Sequence, residues 1–360
     1  MTAHVAVIKG DGIGIDVTDA TLFLVDQALA KANAPKPKLS FIKAGAGYFA
    51  ETGKDIEQGG EEKAGECDAI FLGAIGLPSI RHEDGTEISP HLRLRDRYQL
   101  YAGVRPVKSY PNIPNPLADP RAGSIDMVIV RESTEGLFYS AAVHGRTQIS
   151  ETEIRETMLI SRDVSERLHK FAFKLAERRK SVGKKGQVTC VDKANVFIAM
   201  AFFRDIFDSI AKDYPDIVTD HCYVDAMALN MVRKPWELDV LVTENMFGDI
   251  LSDLAGGLVG GMGMAACGEI GDTIGLFQPA HGSAPDIMGQ DKANPLAAIL
   301  SGAMMLDYLA ETTGNQSYDT AANLIHQAIE TGFAANEIRP AEFGGDMGTK
   351  SIVETINGLL

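Results

Sequence analysis

"KGDGIGID" (residues 9–16) follows the apolar run Val5-Ala6-Val7-Ile8 and leads into a helical pattern. A strand, a glycine-rich turn and a helix are how a dinucleotide-binding unit begins, so whether this turn cradles a pyrophosphate decides between a Rossmann fold and another α/β architecture. The glycines are Gly10, Gly12 and Gly14; the fingerprint G-x-G-x-x-G would need glycine at 15, where Ile15 stands. The acidic residue expected about 20 residues further on, at the end of a second strand, is also missing. That stretch, Lys31 to Ser40, carries two prolines instead. The turn therefore reads as a tight backbone turn, and evidence for a nucleotide site has to come from elsewhere in the chain.

The chain has 360 residues, 45% of them apolar, which suggests two domains or one large one. Its formal charge of −15 argues against nucleic acid or an anionic membrane as partner. Local arginines can still take an anionic small molecule. No apolar run reaches about 18 residues, so no membrane span is expected. The start, Met1-Thr2-Ala3-His4, has no basic region followed by an apolar one, so no signal peptide is expected either. Cys67, Cys190, Cys222 and Cys267 form no C-x-x-C pair or metal spacing. They read as reduced thiols of a cytoplasmic protein.

Short apolar runs alternate with helical patterns. Strands are expected at 4–8, 39–44, 68–73, 102–107, 125–131, 187–191, 217–224 and 239–243. Helices are expected at 15–32, 57–66, 151–181, 196–212, 247–260, 293–310 and 318–331. This alternation predicts an α/β architecture with largely parallel strands. "PNIPNPLADPRAG" (111–123) has four prolines and reads as a surface loop or a crossing between domains.

Five segments could carry chemistry. In "TENMFGDILSDLAGGLVGGMG" (243–263), Asp249 and Asp253 are four apart and share a helix face. Like charges at that spacing call for a cation, and hard oxygen donors favour Mg²⁺ or Mn²⁺; the plain alternative is a pair of acids near a helix N-terminus. Arg95, Arg105 and Arg131 lie in or beside apolar runs. Each is a potential carboxylate clamp or a structural ion pair. Lys193, in "VTCVDKANVF" (188–197), follows a strand; near other cations it could act as a base at neutral pH. Asp225, in "YVDAMALN" (223–230), reads alone as a helix N-cap. In "FQPAHGSAPDIMGQDKANP" (277–295), the small residues around His281 suit close approach to backbone amides, and Asp286 could accept from a ribose diol; an ordinary turn is the other reading.

Taken together and in order, "GDGIG", "VRP", "VRESTEG", "DKANVF", "YVDAMA", "ENMFGDILSDLAGGL", "HGSAPDI" and "ANP" resemble the isocitrate/3-isopropylmalate dehydrogenase family of metal-dependent β-decarboxylating dehydrogenases. The resemblance implies a two-domain fold with parallel and mixed sheets flanked by helices, and not a Rossmann fold. It implies a discontinuous cofactor domain (1–98 plus 252–360) and a substrate and dimerisation domain (99–251). Arg95, Arg105 and Arg131 would hold malate carboxylates. Asp249 and Asp253 would hold Mg²⁺ or Mn²⁺ with Asp225 from the partner of a homodimer. Lys193, also from the partner, would take part in proton transfer. His281, Gly282, Ser283, Ala284, Asp286 and Asn294 would hold the adenosine side of the cofactor, and an acid at 286 implies NAD, because it repels a 2′-phosphate. The implied chemistry is hydride loss from C2 of a 2-hydroxy acid, departure of the β-carboxylate as CO₂, and protonation at C3.

Two departures from the family pattern stand out. The tyrosine that donates this last proton in relatives corresponds to Phe138, with Tyr139 next to it. In the specificity segment "DGTEISPHLRLR" (84–95), Ser89 matches isocitrate enzymes, His91 replaces their asparagine, and only Leu92 corresponds to the leucines of isopropylmalate enzymes. The segment is mixed, neither clearly apolar nor built for a γ-carboxylate; 3-isopropylmalate is placed slightly ahead, with isocitrate, D-malate or tartrate as alternatives on the same frame. A non-catalytic subunit of a hetero-oligomer is the reading from another class.

Overall fold

The computed structural model describes residues 2–140 and 147–360. The chain divides into two compact units, Met1–Tyr98 with Tyr110–Pro114 and Gly260–Leu360, and Gln99–Ser109 with Asn115–Val259. The division falls after Val259; the position expected from sequence, 251/252, lies inside a helix, Asn245–Leu258.

In the first unit the strand order is Lys38–Phe41, His4–Gly10, Ala69–Ala74, Gly275–Pro279, Ala266–Ile270. The first four are parallel and the last is antiparallel to its neighbour. Val5 to Ile8 are fully buried, as in parallel strands covered on both faces. The helices Ile13–Lys31, Leu296–Thr313, Gln316–Ala334 and Thr349–Leu359 supply Leu24, Leu306, Ile325 and Ile352 to one core with Phe71 and Phe277.

The glycine turn is packed by protein rather than shaped around a phosphate. A Cβ on Gly10 (φ 73°) would stand 1.8 Å from the Ala74 carbonyl oxygen, and one on Gly12 (φ 54°) 2.0 Å from that of Ser283. The Asp11 carboxylate accepts the amides of Ala46, Gly47 and Gly76, each at 2.8 Å.

In the second unit the order is Ala102–Lys108, Asp126–Glu132, Val240–Thr243, Gln187–Asp192, Val218–Tyr223. Only the first strand runs antiparallel. Val240–Thr243 is wholly buried at the centre, with Met127, Ile129 and Leu241 packed on Leu251 and Ala255 of helix Asn245–Leu258.

Several expectations need correction. The helix expected at 151–181 begins at Arg162, because Ser161 accepts the Val164 amide as its N-cap. The residues before it include a short antiparallel pair, Gln148–Ile149 with Ile154–Arg155. The proline-rich stretch holds a 3₁₀ turn at Pro120–Ser124, started by a proline at its first position. Asp225 does not cap its helix; it is the second residue of Val224–Arg233, and Tyr223 precedes it without a side-chain cap. The antiparallel pair Ala266–Ile270 and Gly275–Pro279 was not expected at all. Among the described residues no helix is long and apolar enough to cross a membrane.

Candidate active site

In the second unit, Arg131 is the penultimate residue of the strand Asp126–Glu132, with its side chain buried. Its Nε and Nη2 donate to Asn245 Oδ1 at 3.0 and 2.7 Å, and its Nη1 to Asp249. The helix carrying both partners starts because the Glu244 carboxylate accepts the Met246 and Phe247 amides, at 3.2 and 2.7 Å. Asp253 follows one turn after Asp249. Its carboxyl is pushed above the usual range by partial burial and then by Asp249, against the pull of Arg131 and Arg105. Two carboxylates and two guanidiniums thus share one field. Arg131 is a positive group already paired with Asp249, so a metal ion is not the sole cation their spacing can meet.

Among the described residues no three carboxylate, imidazole or thiol groups converge on one point. Asp249 and Asp253 therefore offer two hard oxygen donors, a fit for Mg²⁺ or Mn²⁺ with no third side-chain ligand among the described residues. Asp225 is joined instead to Lys193, whose Nζ donates to its Oδ1 at 2.6 Å. That bond holds the exposed Asp225 carboxylate below its usual range. The bonded neighbour of Lys193 is thus a carboxylate. The loop is anchored next door by Asp192, which accepts from Arg204 at 2.8 and 2.7 Å and from the Ala194 amide.

Glu132, which the sequence reading passed over, shapes the "RESTEG" loop. Its buried carboxyl accepts from the Thr134 amide and hydroxyl, each at 2.6 Å, and from the Glu135 amide at 2.8 Å. Burial outweighs those bonds and pushes it up to about 7. Beyond the loop, the Phe138 ring lies over the Arg131 guanidinium, 5.1 Å from centroid to carbon. Tyr139 is part of the same 3₁₀ turn, Leu137–Tyr139, and is partly buried.

In the first unit, Arg95 lies in helix Pro90–Arg97 with its Nη2 2.9 Å from Glu269 Oε1, both side chains buried. One turn earlier, burial and then Arg95 push the His91 imidazole down to about 3, so it is neutral. Ser89 precedes this helix without capping it through its side chain. The "HGSAPD" loop is tied to the glycine turn. The Ser283 hydroxyl donates to the Gly76 carbonyl, and the Ile13 amide to the Ser283 carbonyl at 2.7 Å. His281 is pushed below its ordinary value by burial and sits 2.9 Å, through Nδ1, from the Gly282 carbonyl oxygen. Ala284 has a φ of 32°, a conformation that costs a non-glycine residue about 1 kcal/mol or more and clusters at ligand sites. Asp286 follows it with its carboxylate exposed. Asn294 is buried and donates to Glu342 Oε2 at 2.9 Å.

These two units define a two-part α/β protein whose buried arginines and paired carboxylates suit a small anionic ligand. The chain belongs to the isocitrate/isopropylmalate dehydrogenase family, whose sequence profile matches residues 4–356. It is 40% identical over 353 residues to the 3-isopropylmalate/3-methylmalate dehydrogenase of Methanocaldococcus jannaschii, covering 98% of this chain and 97% of that one. It is 38% identical over 359 residues to the isocitrate/homoisocitrate dehydrogenase of Thermus thermophilus, covering 99% and 98%. The crystal structure of isocitrate dehydrogenase from Methylococcus capsulatus superposes with a TM-score of 0.84 at 32% identity, covering 99% of each chain.

Proposed function

We propose that the protein oxidises C2 of a 3-substituted malate with NAD and releases its β-carboxylate as CO₂, 3-isopropylmalate being favoured. The observation that carries this reading is the Arg131 assembly: a buried guanidinium at a strand end, fixed by Asn245, beside two carboxylates one helical turn apart. Arg95, Arg105 and Arg131 bind the substrate carboxylates, and Asp249 and Asp253, with Asp225 of a second copy, hold Mg²⁺ or Mn²⁺. When bound, the metal polarises the oxygen on C2 as a Lewis acid and NAD accepts the hydride. Lys193 of that second copy moves the proton, and its ion pair with Asp225 orients it. Asp286 takes the ribose diol, which selects NAD over NADP.

A second copy would cover exposed apolar residues that lie close in the chain to Lys193, Asp225 and Asp249. Ile198 is 90% exposed, Ile250 63% and Val196 60%, with Phe197, Leu229 and Val232 also exposed. Phe138, at the position of the family's proton donor, favours a second reading as a non-catalytic subunit. One experiment decides: the purified chain with NAD, Mn²⁺ and a panel of 3-substituted malates. NADH should form, with NAD preferred over NADP in kcat/KM by at least about tenfold. No NADH with any of them would overturn the proposal.

A further inference from the structure

We infer that Glu269 sets the substrate charge Arg95 accepts, favouring malates with an uncharged C3 substituent over those bearing a third carboxylate. The inference rests on Arg95 being a substrate clamp, as proposed above.

The sequence reading gave Glu269 no role. It projects from the strand Ala266–Ile270 and is fully buried. Its Oε1 lies 2.9 Å from Arg95 Nη2 and also accepts from the Cys267 thiol at 3.6 Å. A carboxyl group buried in such a place calls for a paired cation, which Arg95 supplies. His91, one turn before Arg95 on the same helix, is neutral well below physiological pH. Its Nδ1 and the Arg95 Nε are buried without a hydrogen-bond partner, so the cluster keeps polar donor and acceptor capacity. Within it the Glu269 carboxylate offsets the Arg95 guanidinium, and the neutral imidazole adds no charge.

That cancellation has a consequence for specificity. Arg95 still offers directed N–H donors for one substrate carboxylate. It has little Coulomb attraction left for a further anion, because any anion drawn to the guanidinium is repelled by the carboxylate behind it. A third carboxylate would thus lose its hydration for small return, whereas an uncharged C3 group meets no such penalty. Glu269 acts through Arg95 and is a positioning and specificity residue, not a catalytic one.

Glu269→Gln keeps the volume and an oxygen that accepts from Arg95 and removes only the charge. The test measures binding of 3-isopropylmalate and isocitrate to wild type and E269Q by calorimetry with Mn²⁺, and turnover of both with NAD. Wild type should prefer the dicarboxylate by at least about tenfold, and E269Q should shrink that preference by at least about tenfold while the KM for NAD stays put. An unchanged ratio in folded E269Q, or a wild type that binds both equally, would overturn the inference. The wild-type comparison stands even if E269Q does not fold. Selective binding without NADH would sink the dehydrogenase proposal and leave this inference supported.

Discussion

Replacing Asp11 by alanine tests how the glycine turn works. The Asp11 side chain is 5% exposed, and its two oxygens take three backbone amides, of Ala46, Gly47 and Gly76, at 2.8 Å each. Alanine would leave three donors without an acceptor. A stranded buried donor costs about 1–3 kcal/mol, so the unrelieved total is roughly 3–9 kcal/mol. Water reaching the two partly buried glycine amides brings the expected loss toward the lower end, about 3 kcal/mol. Asparagine keeps one acceptor oxygen but turns an N–H₂ toward the remaining donors, so D11N should fall between D11A and wild type. With two units, a single denaturation curve does not isolate the effect. Amide exchange does: 3 kcal/mol is more than a hundredfold, and protection should drop in segments 44–50 and 74–78. NAD binding should weaken with it, because the Gly76 carbonyl holds the Ser283 hydroxyl. D11A with less than about 1 kcal/mol of lost protection in both segments would refute the reasoning.

Phe138→Tyr keeps the ring over Arg131 and restores a hydroxyl. If a missing donor limits protonation at C3, stopped-flow NADH traces should lose their burst and the slow phase should speed up. If Tyr139→Phe is the damaging change instead, Tyr139 has taken the role. Mixing inactive Lys193→Ala with inactive Asp253→Asn chains should restore activity once subunits exchange, because one site of the heterodimer collects neither lesion; verified heterodimers with no activity would place each site within one chain. Glu132 should make stability pH-dependent. Its folded-state value of about 7 lies above the ordinary 4.5, so the folded protein holds a proton that the unfolded chain gives up between those values. Wild type should therefore lose up to roughly 3 kcal/mol relative to E132Q as pH rises from about 4.5 to 7, and a constant gap in urea melts across that range would show ordinary titration.

What was legible in the sequence was local. The missing glycine at 15 favoured a plain turn, and the apolar runs around Val5 and Leu241 led to buried parallel strands; setting a Rossmann fold aside took the family resemblance of the whole chain. The shared helix face of Asp249 and Asp253 follows from their spacing. Arg131 as the partner of Asp249 does not, since 118 positions separate them and only the strand–helix packing joins them. The Lys193–Asp225 pair is hidden in the same way, 32 positions apart and just past the ends of two neighbouring strands. The strand Ala266–Ile270 went unseen because Cys267, Gly268 and Glu269 give no alternation, and with it went the carboxylate behind Arg95. Glu132 was passed over because its partners are backbone amides, which leave no trace in side-chain pattern.

The central claim is metal-dependent oxidation coupled to decarboxylation at the Arg131–Asp249–Asp253 assembly. Its most direct test is substrate labelled with ¹³C in the β-carboxylate, with NAD and Mn²⁺, following NADH and labelled CO₂ together in wild type and Asp253→Asn. The account predicts one CO₂ per NADH in wild type, and the loss of both in folded D253N and in wild type treated with EDTA. Full activity of D253N in the presence of EDTA, or NADH without labelled CO₂, would contradict it.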